Sequence, residues 1–145
     1  MADFKFFIIP LLVLCINQII KLLVHGFQGN FSWGKIFSYG GMPSSHTALA
    51  TSLVLVIGYF EGWASVSFAI ALIMAIVIVK DAAGIRRKLG KQAQIINQMT
   101  KKMPSKEKYK FPVLNERFGH TNTEIIVGMI IGIVLTMLLI YTWPK

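Results

Sequence analysis

The sequence is short of the groups on which several chemistries depend. Cys15 is its single cysteine, so no disulfide can form within the chain and cysteine usage does not report the redox compartment. Asp and Glu total six and form no compact cluster, which weighs against a carboxylate-rich metal centre. No internal repeat, low-complexity tract or linker divides the chain, and residues 1–145 are expected to form a single membrane-embedded domain. Amphipathic spacing is missing from most of the apolar residues, which excludes an ordinary small soluble domain.

In its place stand four nearly continuous apolar runs, in a chain that is 54% hydrophobic. Each is close to the length that a helix needs to cross a hydrocarbon core, where a helix satisfies its own backbone hydrogen bonds. The expected fold is therefore all-α, an integral membrane bundle of four transmembrane helices at approximately 4–24, 44–60, 63–80 and 123–143. The first run follows Lys5 in the arrangement of a signal peptide behind its basic start. It is long, however, carries Asn17, Gln18 and Lys21 near its end and has no small-residue cleavage pattern, so it is expected to be retained.

A net charge of +9 would suit a nucleic-acid partner if it were spread over a surface, but eleven of the fifteen Lys and Arg fall between Lys80 and Arg117. By the positive-inside rule that loop is cytoplasmic. The expected protein is a multi-pass component of the cell membrane with both termini outside and no nucleic-acid partner. Within the loop, Leu89, Ala93, Ile96, Met99 and Met103 recur at helical spacing among lysines and amides. Such a basic amphipathic segment either lies against anionic membrane lipids or caps the bundle with its apolar face. Between Pro104 and Pro112, Lys106, Lys108 and Lys110 read as a solvated or headgroup-facing loop.

The polar residues collect at one end of the expected bundle. Gly40 to Thr47 contains Pro43, Ser44, Ser45 and His46, which reads either as an ordinary helix start or as a phosphate site of amides, hydroxyls and imidazole. Arg86 and Arg87 satisfy the positive-inside rule alone, whereas Asp81 opposes the helix macrodipole and calls for a cationic partner. Before the last helix, Thr121 and Glu124 have capping-box spacing, and His120 and Glu124 stand four apart, so the carboxylate can also orient the imidazole. Lys21 either snorkels to headgroups or joins Asn17 and Gln18 in an intramembrane polar face. All of these meet at the cytoplasmic end, in a place suited to a phosphate ester.

The stretches GGMPSSHTA, KDAAGIRR and ERFGHTNTE resemble the type 2 phosphatidic acid phosphatase superfamily, and more closely its divergent branch of small membrane proteins. The likeness covers nearly the whole chain from Lys21 onward. PSSH at Pro43 to His46 is similar to the second superfamily motif, PSGH. His120 with Glu124 is similar to the end of the third, SRxxxxxHxxxD, and Arg86 or Arg87 to its arginine. Lys21 resembles the lysine of the first, KxxxxxxRP. Gln28 stands where that motif has arginine, Ser45 replaces glycine, Glu124 replaces aspartate, and the third motif is split by more than thirty residues.

The resemblance implies hydrolysis of a lipid phosphomonoester or pyrophosphate without metal or other cofactor. His120 would be the nucleophile, Glu124 its orienting carboxylate and His46 the general acid and base. Lys21, Ser45, Arg86 and Arg87 would hold phosphate, with Asp81, Asn17, Gln18 and Ser44 in support. Phosphatidylglycerophosphate or phosphatidate is the first expectation for a cytoplasmic site, and polyprenyl pyrophosphate the second. One alternative places a divalent metal on Asp81, Glu124 and a histidine. Another is a catalytically silent protein that binds or translocates lipid or organises partners. A second copy, forming a homodimer, would help to seal four short helices around a polar site.

Overall fold

A computed structural model describes residues 4–27, 41–104, 111–116 and 119–143. The regular structure among them is entirely helical: α1 (Lys5–Phe27), α2 (Ser45–Glu61), α3 (Val66–Ala83), α4 (Ile85–Lys101) and α5 (Asn122–Thr142). Among the described residues, three spans are long and apolar enough to cross a membrane: Lys5–Val24, Asn122–Thr142, and Val66–Lys101, whose apolar part is α3. α2 has 17 residues, the short end of the spanning range.

The helices begin and end where local chemistry dictates, within a few residues of the hydropathy runs. α3 starts at Val66 rather than at Trp63 because Ser65 caps it, its hydroxyl accepting from the Phe68 amide at 3.1 Å. Trp63 belongs to the preceding turn and folds back on α2, where a side chain at Gly58 would collide with its indole. At its other end α3 continues through Lys80 and Asp81 to Ala83. Charge ends a hydropathy run, but it does not end a helix.

α2 is the inner helix and packs against α1, α3 and α5. α2 and α5 run parallel. A Cβ on Gly128 would come within 2.5 Å of the Ser44 carbonyl oxygen, and one on Gly132 within 2.8 Å of that of Ala48. One turn further, Thr136 donates to Ser52 Oγ at 2.7 Å. Small residues four apart let two backbones approach closely, as membrane helices do when lipid supplies no hydrophobic drive between them. α1 runs antiparallel to α2. Asn17 reaches Ser45 near one end, and Lys5 Nζ lies 4.0 Å from the Phe60 ring centroid at the other.

The partition of side chains is that of a membrane protein. Phe7, Leu11, Ile73, Val77, Ile130 and Leu138 face outward, whereas Asn17, Lys21, Thr47, Ser52 and Thr136 are buried. A soluble protein would reverse that arrangement.

Because α2 and α5 are parallel, their N-termini lie at the same end, together with the C-terminal parts of α1 and α3 and the start of α4. Helix N-termini leave first-turn amides without intrahelical partners and carry the positive end of the macrodipole. The fold therefore turns two such termini toward one place.

Candidate functional site

Backbone hydrogen bonds assemble this end before any side chain is considered. The Ser44 amide donates to the Glu124 carbonyl at 3.2 Å, tying the start of α2 to the first turn of α5. The His120 amide donates to the Ala82 carbonyl at 3.1 Å, tying the approach to α5 to the last turn of α3. Gly119, at φ 87, lies against the first turn of α4 so closely that a Cβ there would overlap the Arg87 backbone nitrogen. These contacts bring His120 beside Arg86 although the two are over thirty residues apart in sequence.

At the start of α2 the Met42–Pro43 bond is cis and Pro43 is fully buried. Ser44 is the N-cap, accepting from the Thr47 amide and sharing a hydrogen bond with Thr47 Oγ1 at 2.9 Å. Ser45 Oγ accepts from Asn17 Nδ2 at 3.0 Å, so α1 holds the hydroxyl of the PSSH stretch. Asn17 Oδ1 and Gln18 Oε1 are buried with no donor among the described residues. Lys21, one turn beyond Asn17, is 5% exposed and interacts electrostatically with Glu124.

His120 is 7% exposed, and its Nδ1 lies 3.1 Å from Glu124 Oε2. The same oxygen accepts from the Thr121 amide at 3.0 Å, while Thr121 Oγ1 accepts from the Glu124 amide. Capping box and histidine orientation therefore coexist on one carboxylate. His46 is exposed at the mouth of the cluster. The ionisable groups near enough to act on its imidazole are Arg86, His120, Lys21 and Asp81, so α1, α2, α3, α4 and the approach to α5 all converge there.

Arg86 Nε donates to Asp81 Oδ2 at 2.6 Å across the helix break at Gly84. This supplies the cationic partner that Asp81 requires at the end of α3. Arg87 is exposed and is not among the charges that act on His46. Of the two arginines that sequence could not separate, Arg86 is the one drawn into the cluster. Gln28, Gly40, Arg117 and Lys106, Lys108 and Lys110 lie outside the described residues.

Among the described residues, no three His, Cys, Asp or Glu side chains come together as a metal-ligand group, so the alternative set of Asp81, Glu124 and a histidine is not assembled. What the arrangement does offer is an oriented imidazole, a second imidazole open to water, two cations and two helix N-termini. Such a set can bind a phosphoryl group and stabilise the charge on it.

Sequence reasoning missed Asn97. Its amide clasps the Leu114 backbone, accepting from the amide at 2.9 Å and donating to the carbonyl at 2.8 Å, and it also donates to Glu116 Oε1. It thereby holds residues 111–116 along α4, just ahead of Gly119 and His120. The available signal was Gly90, Ala93 and Asn97, a stripe of small or polar residues at helical spacing, all buried. Ala93 belongs to that stripe and not with Leu89, Ile96 and Met99, which are exposed.

Residues 2–135 match the model of a family described as the divergent PAP2 family. An uncharacterized membrane protein of Bacillus subtilis (strain 168), YuiD, is 35% identical over 136 residues, covering 86% of each chain. No solved structure matches.

Proposed function

This chain belongs to the divergent PAP2 family, and from that premise we propose that it is a membrane lipid phosphatase acting through a phosphohistidine. The observation that carries the reading is the His120–Glu124 contact, set beside His46, Arg86 and Lys21 at one end of the bundle. Glu124 engages Nδ1, which leaves Nε2 as the attacking nitrogen. An Nε2–phosphorus bond forms as the phosphorus–oxygen bond to the lipid breaks, and His46 gives its proton to the leaving oxygen. His46 then takes a proton from water, the resulting hydroxide attacks phosphorus, and the Nε2–phosphorus bond breaks to release phosphate. Its exposure gives it access to that water.

Arg86 and Lys21, with Ser45 and the first amides of α2, hold the phosphoryl oxygens as charge builds. Asp81 acts through Arg86, fixing its guanidinium at Nε. Asn17 acts through Ser45. The lipid chains remain among or beside the helices.

The positive-inside bias supports a site on the cytoplasmic face. Phospholipid synthesis makes its lipid phosphates on that side, so phosphatidylglycerophosphate or phosphatidate ranks ahead of polyprenyl pyrophosphate. Phosphate release by purified protein from a panel of the three tests the proposal. Release from at least one, insensitive to chelator, is expected. No release from any would leave a lipid-binding or partner-organising protein.

A further inference from the structure

The amphipathic α4 has three faces, of which the described residues cover only one. Gly90, Ala93 and Asn97 are buried, and Asn97 is bonded to the segment that leads to His120. About 100° per residue around the helix places Ile85, Leu89, Ile96 and Met99 on a second face. These four are 65%, 48%, 48% and 62% exposed, and Met103 continues the line. On the remaining side, roughly 65–125° around the helix from the apolar stripe, stand Lys88, Lys91 and Lys102 with Ile95 among them, all exposed. No Asp or Glu occurs between Ile85 and Met103. Phe111 and Val113, on the segment that Asn97 holds, are also exposed.

We propose that α4 lies in the headgroup layer, with its Ile85, Leu89, Ile96 and Met99 stripe sunk at the acyl boundary and its basic residues on anionic lipid headgroups. Three observations favour lipid over other occupants. An apolar stripe flanked by lysines is the pattern of a helix that rests in a membrane interface. The uniformly basic charge complements anionic headgroups. The membrane is also already adjacent, because α4 follows the apolar α3 with only Gly84 between them. Long lysine side chains can reach back to phosphates while the helix backbone lies lower.

The test reads depth, independently of any catalytic activity. In a Cys15→Ser background, single cysteines at Ile96 and Met99, and at Lys91 and Gln98 on the polar side, carry an environment-sensitive fluorophore in lipid nanodiscs. In phosphatidylcholine discs containing phosphatidylglycerol, labels at Ile96 and Met99 are expected to be blue-shifted. An aqueous quencher should reach them several-fold less than it reaches those at Lys91 and Gln98. Combined Lys88, Lys91, Lys101 and Lys102→Gln substitution in the Ile96 and Met99 single-cysteine proteins, all at exposed positions, should remove most of that protection. Equal quenching on both sides in the anionic discs would overturn the proposal. Equal protection in phosphatidylcholine alone would overturn its anionic part. Protection in detergent that grows with protein concentration would assign the stripe to a second copy of this chain instead.

Discussion

His120 Nδ1 and Glu124 Oε2 stand 3.1 Å apart, and the same oxygen closes the capping box of α5. One carboxylate thus closes the cap and holds the imidazole, and substitution can separate the two. A capping box accepts glutamine in place of glutamate. Glu124→Gln is therefore expected to keep thermal stability near that of the wild type while kcat falls, because an amide does not stabilise a developing imidazolium as a carboxylate does. Glu124→Ala should lose both, with about 1 kcal/mol of stability going with the cap. Thermal melts beside phosphate-release rates check the pair.

The two histidines should be dispensable for folding and not for turnover. His46→Ala is expected to slow hydrolysis by roughly 10²- to 10⁴-fold, the usual worth of a positioned acid and base. His120→Ala should reduce it to background. Gel filtration in detergent and helical circular dichroism of both variants should match the wild type.

Arg86 and Arg87 adjoin in sequence but differ in their surroundings. Arg86→Gln leaves Asp81 without its ion-pair partner and removes a cation from the cluster, so hydrolysis should fall sharply. Arg87→Gln at the exposed neighbour should change the rate by less than about threefold, since exposed charges contribute little. Equal effects would show that the cluster does not select between them.

The helices were legible from hydropathy because lipid imposes length and apolarity on any spanning segment. The convergence of His46, His120, Lys21 and Arg86 was legible only as a shared end of the bundle. What joins them is backbone: Ser44 to Glu124, His120 to Ala82 and Gly119 against Arg87. Backbone bonds carry no side-chain signature, so nothing in the sequence signals that residues more than thirty apart, Arg86 and His120, adjoin in the fold. The buried stripe on α4 was misread for a similar reason. Ala93 suits an apolar lipid-facing stripe and a close helix contact equally well, and only the position of Asn97 against Leu114 decides between them.

Packing at the site end has its own test. Gly119→Ala would place a Cβ against the first turn of α4 at a backbone φ of 87, which side chains rarely adopt. A loss of about 1–3 kcal/mol is expected from the strained conformation alone. Asn97→Ala should cost a similar amount by stripping buried partners from the Leu114 backbone. Denaturant titration in mild detergent measures both.

Orientation is tested by labelling intact cells with a membrane-impermeant thiol reagent in the Cys15→Ser background. Ala64→Cys, in the α2–α3 turn, should react, and Lys102→Cys, at the end of α4, should not. The reverse pattern would put the site outside and move polyprenyl pyrophosphate ahead of the phospholipids.

The central claim is a covalent phosphate on His120. Purified protein mixed briefly with phosphatidylglycerophosphate, phosphatidate or polyprenyl pyrophosphate labelled in the scissile phosphate, then quenched in alkali, is expected to retain label that survives base and is lost in acid. Mass spectrometry should place that label on His120, and the His120→Ala protein should carry none. Steady phosphate release by a folded His120→Ala protein, or release by the wild type with no acid-labile label at any quench time, would contradict the account.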